Sequence, residues 1–126
     1  MPLVRVDLME GKDDAWLKGV GDVIQEALES VMKAPANDRF QIFTRHPRGS
    51  LSIDPSYAGI ERGDDCILIQ ITLSQGRSVE QKQAFYRAIA DGLHERLGMR
   101  TQDVFINLVE VVKENWSFGD GIAQYA

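Results

Sequence analysis

Apolar and polar residues alternate from the first positions of the chain. Leu3, Val4, Val6 and Leu8, rich in β-branched side chains, predict a strand over residues 3–8. Glu10-Gly11-Lys12 reads as a turn, with Asp13 or Asp14 placed to cap the next helix. Trp16, Val20, Val23, Ile24, Ala27, Leu28 and Val31 recur on one helical face. That helix is expected to stop near Lys33, because Pro35 restrains the residue before it. Alternation returns at Asp38-Arg39-Phe40-Gln41-Ile42-Phe43-Thr44, a second strand, so the first part of the chain is a β-α-β unit.

The unit repeats after an irregular stretch, residues 45–65, punctuated by Pro47, Gly49, Pro55, Gly59 and Gly63 and holding a candidate short strand at Leu51-Ser52-Ile53. A connection of that length in a compact domain is usually functional or packed against a partner. Residues 66–73, Cys66 to Leu73, form the strongest strand pattern in the chain. Ser78 and Gln81 stand in capping-box register before a helix carrying Phe85, Ile89, Leu93 and Leu97 on one face, with Tyr86 and Ala88 beside them, and Gly98 ends it. Residues 103–111 are the fourth strand. Matching Val4 to Leu68 and Asp38-Arg39-Phe40 to Asp103-Val104-Phe105 gives a repeat of about 64 or 65 residues.

Two right-handed β-α-β units predict an α+β domain spanning 1–126, a four-stranded mixed sheet with two helices on one face and short extra strands. The units cover about 2–46 and 66–111, with an aromatic, Gly-rich tail at 115–126 that is expected to reach a neighbour. Ile67, Ile69 and Ile71 alternate with Leu68, Gln70 and Leu73, which predicts a second apolar sheet face. A two-layer domain does not leave such a face in water, so the expected state is an oligomer sharing a core.

Composition narrows the partners. At 126 residues, 44% hydrophobic and 26% charged, the chain is an ordinary single globular domain. Its net charge is −5, with scattered basic residues and no basic stripe for nucleic acid. No apolar run suggests a membrane span or signal peptide, and the one cysteine, Cys66, has no internal disulfide partner; together these favour the cytoplasm.

The candidate chemistry starts with Pro2. Removal of Met1 would leave a secondary amine, both nucleophile and base, held by a strand; the plainer reading is a common second residue. Asp38 opens the second strand at the same sheet edge and is a possible acidic partner, or a turn residue. Arg77, in Ser74-Gln75-Gly76-Arg77-Ser78 before a helix N-terminus, suits a small carboxylate, or is a solvated arginine. Trp116 and Phe118 are candidate pocket walls or interface residues. His46 and His94 lack companions at ligand spacing, so no metal site is expected. Gly19-Val20-Gly21 lies inside a helix pattern rather than after a strand, and Cys66 reads as buried core.

Pro2 behind Met1, Pro35-Ala36-Asn37-Asp38-Arg39, Ser78-Val79-Glu80-Gln81-Lys82 and Asn115-Trp116-Ser117-Phe118-Gly119 together resemble the tautomerase superfamily, specifically its malonate semialdehyde decarboxylase branch. The resemblance covers nearly the whole chain. It implies a β-α-β repeat fold, a homotrimer, no cofactor, and decarboxylation of malonate semialdehyde to acetaldehyde and carbon dioxide. It implies Pro2 as catalytic amine, Asp38 as its acidic partner, Arg77 on the carboxylate, and Trp116 and Phe118 as pocket walls. The family carries two arginines before the second helix; Gln75 stands where the first would be, a departure that bears on substrate preference. Tautomerisation or hydration of small oxo or unsaturated acids, and a non-catalytic trimeric binding protein, are the alternatives.

Overall fold

The computed structural model describes residues 2–126, so the fate of Met1 lies outside the described residues. Strand β1 is Leu3–Met9 and helix α1 is Asp14–Ser30. Asp13 is the N-cap; its Oδ1 accepts the Trp16 N–H at 2.8 Å, satisfying one of the donors a helix start leaves free. Helix α1 ends sooner than the proline predicts. Val31 is its C-cap, Lys33 turns left-handed (φ 60°), and the Lys33 amine closes onto the Ser30 carbonyl at 2.8 Å.

Strand β2 is Gln41–His46, three residues later at its start than the alternation predicts. Asn37 is left-handed (φ 67°) and the Asp38 N–H turns back to the Pro35 carbonyl at 3.4 Å. Pairing with β1 begins only where Val4 N–H meets the Phe40 carbonyl, at 2.9 Å. Asp38 and Arg39 therefore belong to the turn before the strand.

No strand forms at Leu51–Ile53; a single 3-10 turn, Tyr57–Gly59, interrupts the connection. Side chains order it instead. Arg62 donates to the carbonyls of Asp54, Tyr57 and Ile60, and Asp103 Oδ1 accepts the Gly63 N–H at 2.7 Å. The second unit comprises β3 (Ile67–Ser74), α2 (Val79–Leu97) and β4 (Val104–Val111), with a 3-10 turn at Thr101–Asp103 leading into β4. Both halves of the Ser78/Gln81 capping box are made, and Gly98 closes α2 in the left-handed region that glycine tolerates best.

The sheet order is β2-β1-β3-β4, with each unit parallel within itself and β1 antiparallel to β3 where the units meet. One sheet face, carrying Val4, Val6, Leu8, Ile67, Ile69, Ile71 and Leu73, packs against Val20, Ile24 and Leu28 of α1 and Phe85, Ile89 and Leu93 of α2. Leu73 thus shares the face of the three isoleucines, and the alternate positions Leu68, Gln70 and Thr72 look outward. The outward face is mixed. Arg5, Gln70 and Asn107 run across it in register, while Ile42, Phe105 and Val109 leave exposed apolar surface. Tyr86 is exposed, not part of the α2 core face.

The structure also sets the repeat. The N-caps Asp13 and Ser78, and the buried pairs Val20/Phe85, Ile24/Ile89 and Leu28/Leu93, all correspond at sixty-five positions. At that spacing Val4 corresponds to Ile69, not to outward-facing Leu68. A slip by one residue exchanges the two faces of a strand.

Candidate active site

Parallel pairing of β1 with β2 brings the starts of both strands to one sheet edge. Pro2 lies there, buried, directly before β1, and Asp38 lies in the turn before β2. Together with Leu3, Phe40, Trp116, Ser117 and Phe118 they line a cavity of about 210 Å³. Asp38 is 4% exposed, and burial pushes its carboxyl above the usual carboxylate range by disfavouring the charged form. Its backbone carbonyl accepts from the buried Gln25 side chain at 3.4 Å, and Gln25 also donates to Glu29.

The aromatic tail folds onto its own chain. Trp116 and Phe118 stack with centroids 5.7 Å apart, and Tyr125 meets Phe118 edge-on at 5.1 Å. Gln124 holds that turn closed, accepting from Phe118 N–H at 2.9 Å and donating to the Gly119 carbonyl at 3.0 Å. The Trp116 indole N–H donates to Ser74 Oγ at 3.2 Å, which fixes the ring against the end of β3.

Arg77 and Gln75 line a neighbouring cavity of about 320 Å³, with Ser74, Lys113 and Tyr125. Arg77 is not a free surface cation. Its Nε and Nη2 donate to the Met32 carbonyl at 3.3 and 3.0 Å, and Nη1 donates to the Ser74 carbonyl at 2.8 Å. The guanidinium thereby ties the end of α1 to the end of β3. A guanidinium has five N–H groups, so one on each terminal nitrogen is left for a ligand. Gln75 is held by its backbone, N–H to the Val111 carbonyl at 2.9 Å.

Pro2, Asp38, Trp116 and Phe118 therefore share one cavity, and Gln75 and Arg77 share the next. Ser74 joins them, through its hydroxyl on Trp116 and its carbonyl on Arg77. Phe40, Lys113 and Tyr125 lie outside the candidate residues of the sequence, and Ser74 enters there only as the first residue of the Arg77 loop. Ser74 ends the β3 apolar run, and Lys113 lies just past its partner Val111 on β4, so strand register alone would have found both.

A cavity of about 580 Å³ lies elsewhere, between α2 and β4, and is lined by Tyr86, Arg87 and Gln102 among others. It contains neither a buried carboxylate nor a candidate nucleophile from the sequence. Among the described residues no group of three or more His, Cys, Asp or Glu is arranged for a metal. His46 contacts Asp7 at 2.6 Å and His94 contacts the Met99 carbonyl at 2.8 Å. Cys66 is buried, and burial raises its thiol pKa. Among the described residues no helix is long and apolar enough to cross a membrane.

Comparison with known proteins decides the family. Residues 38–119 match one tautomerase-enzyme family and residues 2–59 match another. The chain belongs to the tautomerase superfamily. The chain is 40% identical over 124 residues to the probable tautomerase YusQ of Bacillus subtilis, covering 98% of both chains. It superposes on malonate semialdehyde decarboxylase with TM-score 0.91 at 33% identity, over 98% of this chain and 95% of that one. That enzyme was solved in wild-type, mutant and inactivated forms as a basis for decarboxylase and hydratase activities. A fused 4-OT, solved as a symmetric trimer, shares the fold at TM-score 0.77 and 24% identity, over 95% of this chain and 94% of that one.

Proposed function

We propose that this tautomerase-superfamily enzyme decarboxylates a short 3-oxo acid, malonate semialdehyde in the first instance, with the Pro2 amine as its reactive group once Met1 is removed. The observation that carries the reading is the joint enclosure of Pro2 and Asp38 by Trp116 and Phe118, beside the Arg77 cavity. The likeness to malonate semialdehyde decarboxylase supports it.

The step is simple in its balance. The bond from Cα to the carboxyl carbon breaks, carbon dioxide leaves, and the electron pair passes to the neighbouring carbonyl. The enolate takes a proton on carbon, giving acetaldehyde; on the covalent route, where condensation of Pro2 with the aldehyde has released one water, the enamine takes that proton to give an iminium, and one water returns to hydrolyse it to acetaldehyde and the free Pro2 amine. Pro2 provides the electron sink in one of two ways: a protonated amine bonding the carbonyl oxygen, or a free amine condensed to an iminium. A buried carboxyl with a raised pKa, Asp38, is a better proton acceptor than a solvated one and holds the amine in place. Arg77, with one N–H free on each terminal nitrogen, holds the departing carboxylate, and Gln75 adds a neutral donor. The aromatic walls exclude water, which favours loss of a localised charge.

Borohydride reduction during turnover separates the two routes. A mass increase on the Pro2 peptide is the iminium outcome; no increase assigns catalysis to the protonated amine. Pro2→Ala is expected to lower kcat by roughly 10²–10⁴-fold, the ordinary range for a positioned proton-transfer or nucleophilic group. Unchanged turnover would remove the amine from the mechanism.

A second reading is tautomerisation or hydration of small oxo or unsaturated acids. Gln75 favours it by leaving one guanidinium fewer, and so does the likeness to a probable tautomerase. Product identification by NMR with malonate semialdehyde, phenylpyruvate and an acetylenic acid decides between the readings. The exposed apolar residues Phe40, Ile42, Phe105 and Val109 support assembly as a homotrimer through the outer sheet face, as does the trimeric fused 4-OT. Light scattering coupled to size exclusion tests it.

A further inference from the structure

The cavity beside the Pro2 site is lined by two cations, although the sequence motif leads only to Arg77. The other is Lys113. It opens the 3-10 turn Lys113–Asn115, and its carbonyl accepts the Trp116 N–H at 3.3 Å, so the residue that starts the turn and the pocket wall that ends it move as one piece. Pairing of β3 with β4 continues to Gln75 N–H and the Val111 carbonyl, which holds Gln75 next to this turn. Among the described residues neither Arg77 nor Lys113 is in an ion pair. The nearby acid Glu110 is bound to Lys82 at 2.8 Å, and Lys82, with a smaller contribution from Arg77, holds its carboxyl below the usual range.

The internal repeat supplies an independent observation. Four residues of this cavity, Ser74, Gln75, Arg77 and Lys113, have repeat counterparts at sixty-five positions: Met9, Glu10, Lys12 and Arg48. All four of those counterparts line one other cavity, about 220 Å³ in volume. There the two cationic positions are kept, as Lys12 and Arg48, and a carboxylate is already present: Asp65 meets Lys12 at 3.5 Å. The fold thus places two cationic side chains at the end of each unit; in the first unit the chain's own acids Glu10, Asp64 and Asp65 line the same cavity, and Asp65 pairs with Lys12.

We propose that Lys113 is a substrate-binding residue. With Arg77 and the Gln75 amide it completes an anion subsite for the carboxylate of the short oxo acid whose carbonyl lies at Pro2. The inference rests on the decarboxylase reading for the reacting end of the substrate, and on the cavity for its charged end. Lys113 supplies the charge that Gln75 lacks. Its flexible stem makes it a point-charge contact rather than a fixed fork.

Malonate, which carries the carboxylate and cannot turn over as an aldehyde, is the probe, titrated by calorimetry into the processed full-length protein. Lys113 is exposed, so its variants are expected to fold, and circular dichroism checks that. Lys113→Ala is expected to weaken malonate binding roughly three- to ten-fold, a charge-assisted contact discounted for solvent. Lys113→Glu weakens it further, Lys113→Arg retains it, and Lys18→Ala, remote on α1, leaves it unchanged. In turnover with malonate semialdehyde, Lys113→Ala raises KM by the same factor and leaves kcat alone. Equal affinity in wild type and Lys113→Glu, or no malonate binding in wild type, overturns the subsite. Malonate binding that depends on Lys113, in an enzyme that releases no carbon dioxide, supports the subsite and overturns the decarboxylase reading instead.

Discussion

Arg77→Ala is expected to unfold the protein more easily as well as disable it. Three hydrogen bonds leave this guanidinium for two backbone carbonyls, Met32 and Ser74, in residues only 1% and 9% exposed. A hydrogen bond from a charged donor contributes about 1.5–3 kcal/mol, and a buried acceptor left without a partner costs a further fraction of that. Arg77 is itself half-buried, so water reaches part of the gap and the lower end applies. The sum is roughly 2–4 kcal/mol. In a domain of this size that lowers Tm by about 6–15 °C.

The assay is urea unfolding followed by tryptophan fluorescence, at one fixed protein concentration because assembly shifts apparent stability. Arg77→Lys should recover part of the loss, since an ammonium reaches one carbonyl but does not reproduce the planar fork that spans two. Activity must then be compared per folded molecule. If the Arg77→Ala midpoint matches wild type while turnover falls, the tie between α1 and β3 contributes nothing, and the guanidinium acts on the ligand alone.

Asp38→Asn should behave oppositely, losing turnover while gaining stability at pH 7. Burial raises the native pKa above the unfolded 3.8, so the stability linked to this group is full below that value and is lost as pH rises through the native pKa. The Tm gain should therefore shrink toward zero as pH falls to 3.8, and a gain independent of pH would contradict the assignment. Ser74→Ala should release the Trp116 ring, seen as an altered tryptophan emission and a several-fold fall in kcat/KM that Ser74→Thr restores. Gly92→Ala should cost about 1–3 kcal/mol in urea unfolding despite the better helix propensity, because the added Cβ would stand 2.8 Å from Val23 Cγ1. Val23→Ala in the same chain should recover part of it.

The elements were legible because each was marked twice, once by period and once by a terminus. Helix α2 is the clearest case: its four-residue apolar spacing, the Ser78/Gln81 box and Gly98 all agree, and all are found. Strand β2 was misplaced because the alternation in residues 38–44 continues through a turn. What excludes Asp38 from the strand is a left-handed Asn37, which periodicity does not register. The Leu51–Ile53 segment had strand composition but no neighbouring strand to pair with. At the site, Pro2, Asp38, Trp116 and Phe118 were readable as residue types with motif spacing, and they do share a cavity. The commitment of Arg77 to backbone carbonyls was not readable, since its partner Met32 is distant in sequence. Lys113 lay outside every motif, and only strand register brings it to Gln75.

The repeat also explains why chemistry is proposed at one end of the sheet and not the other. At sixty-five positions, Asp38 corresponds to Asp103 and Pro2 to Ile67. Both aspartates are buried before a parallel strand, at 4% and 3% exposure. Their surroundings differ in one decisive respect. Ile67 is an interior residue, so its nitrogen is an amide with no lone pair to offer, and Asp103 instead accepts the Gly63 N–H and anchors the long connection. Pro2, once it heads the chain, has an amine in the equivalent place. The same backbone geometry thus produces a structural carboxylate in one unit and a candidate catalytic one in the other. Asp103→Asn should accordingly disturb residues 45–65, measured as faster hydrogen exchange there.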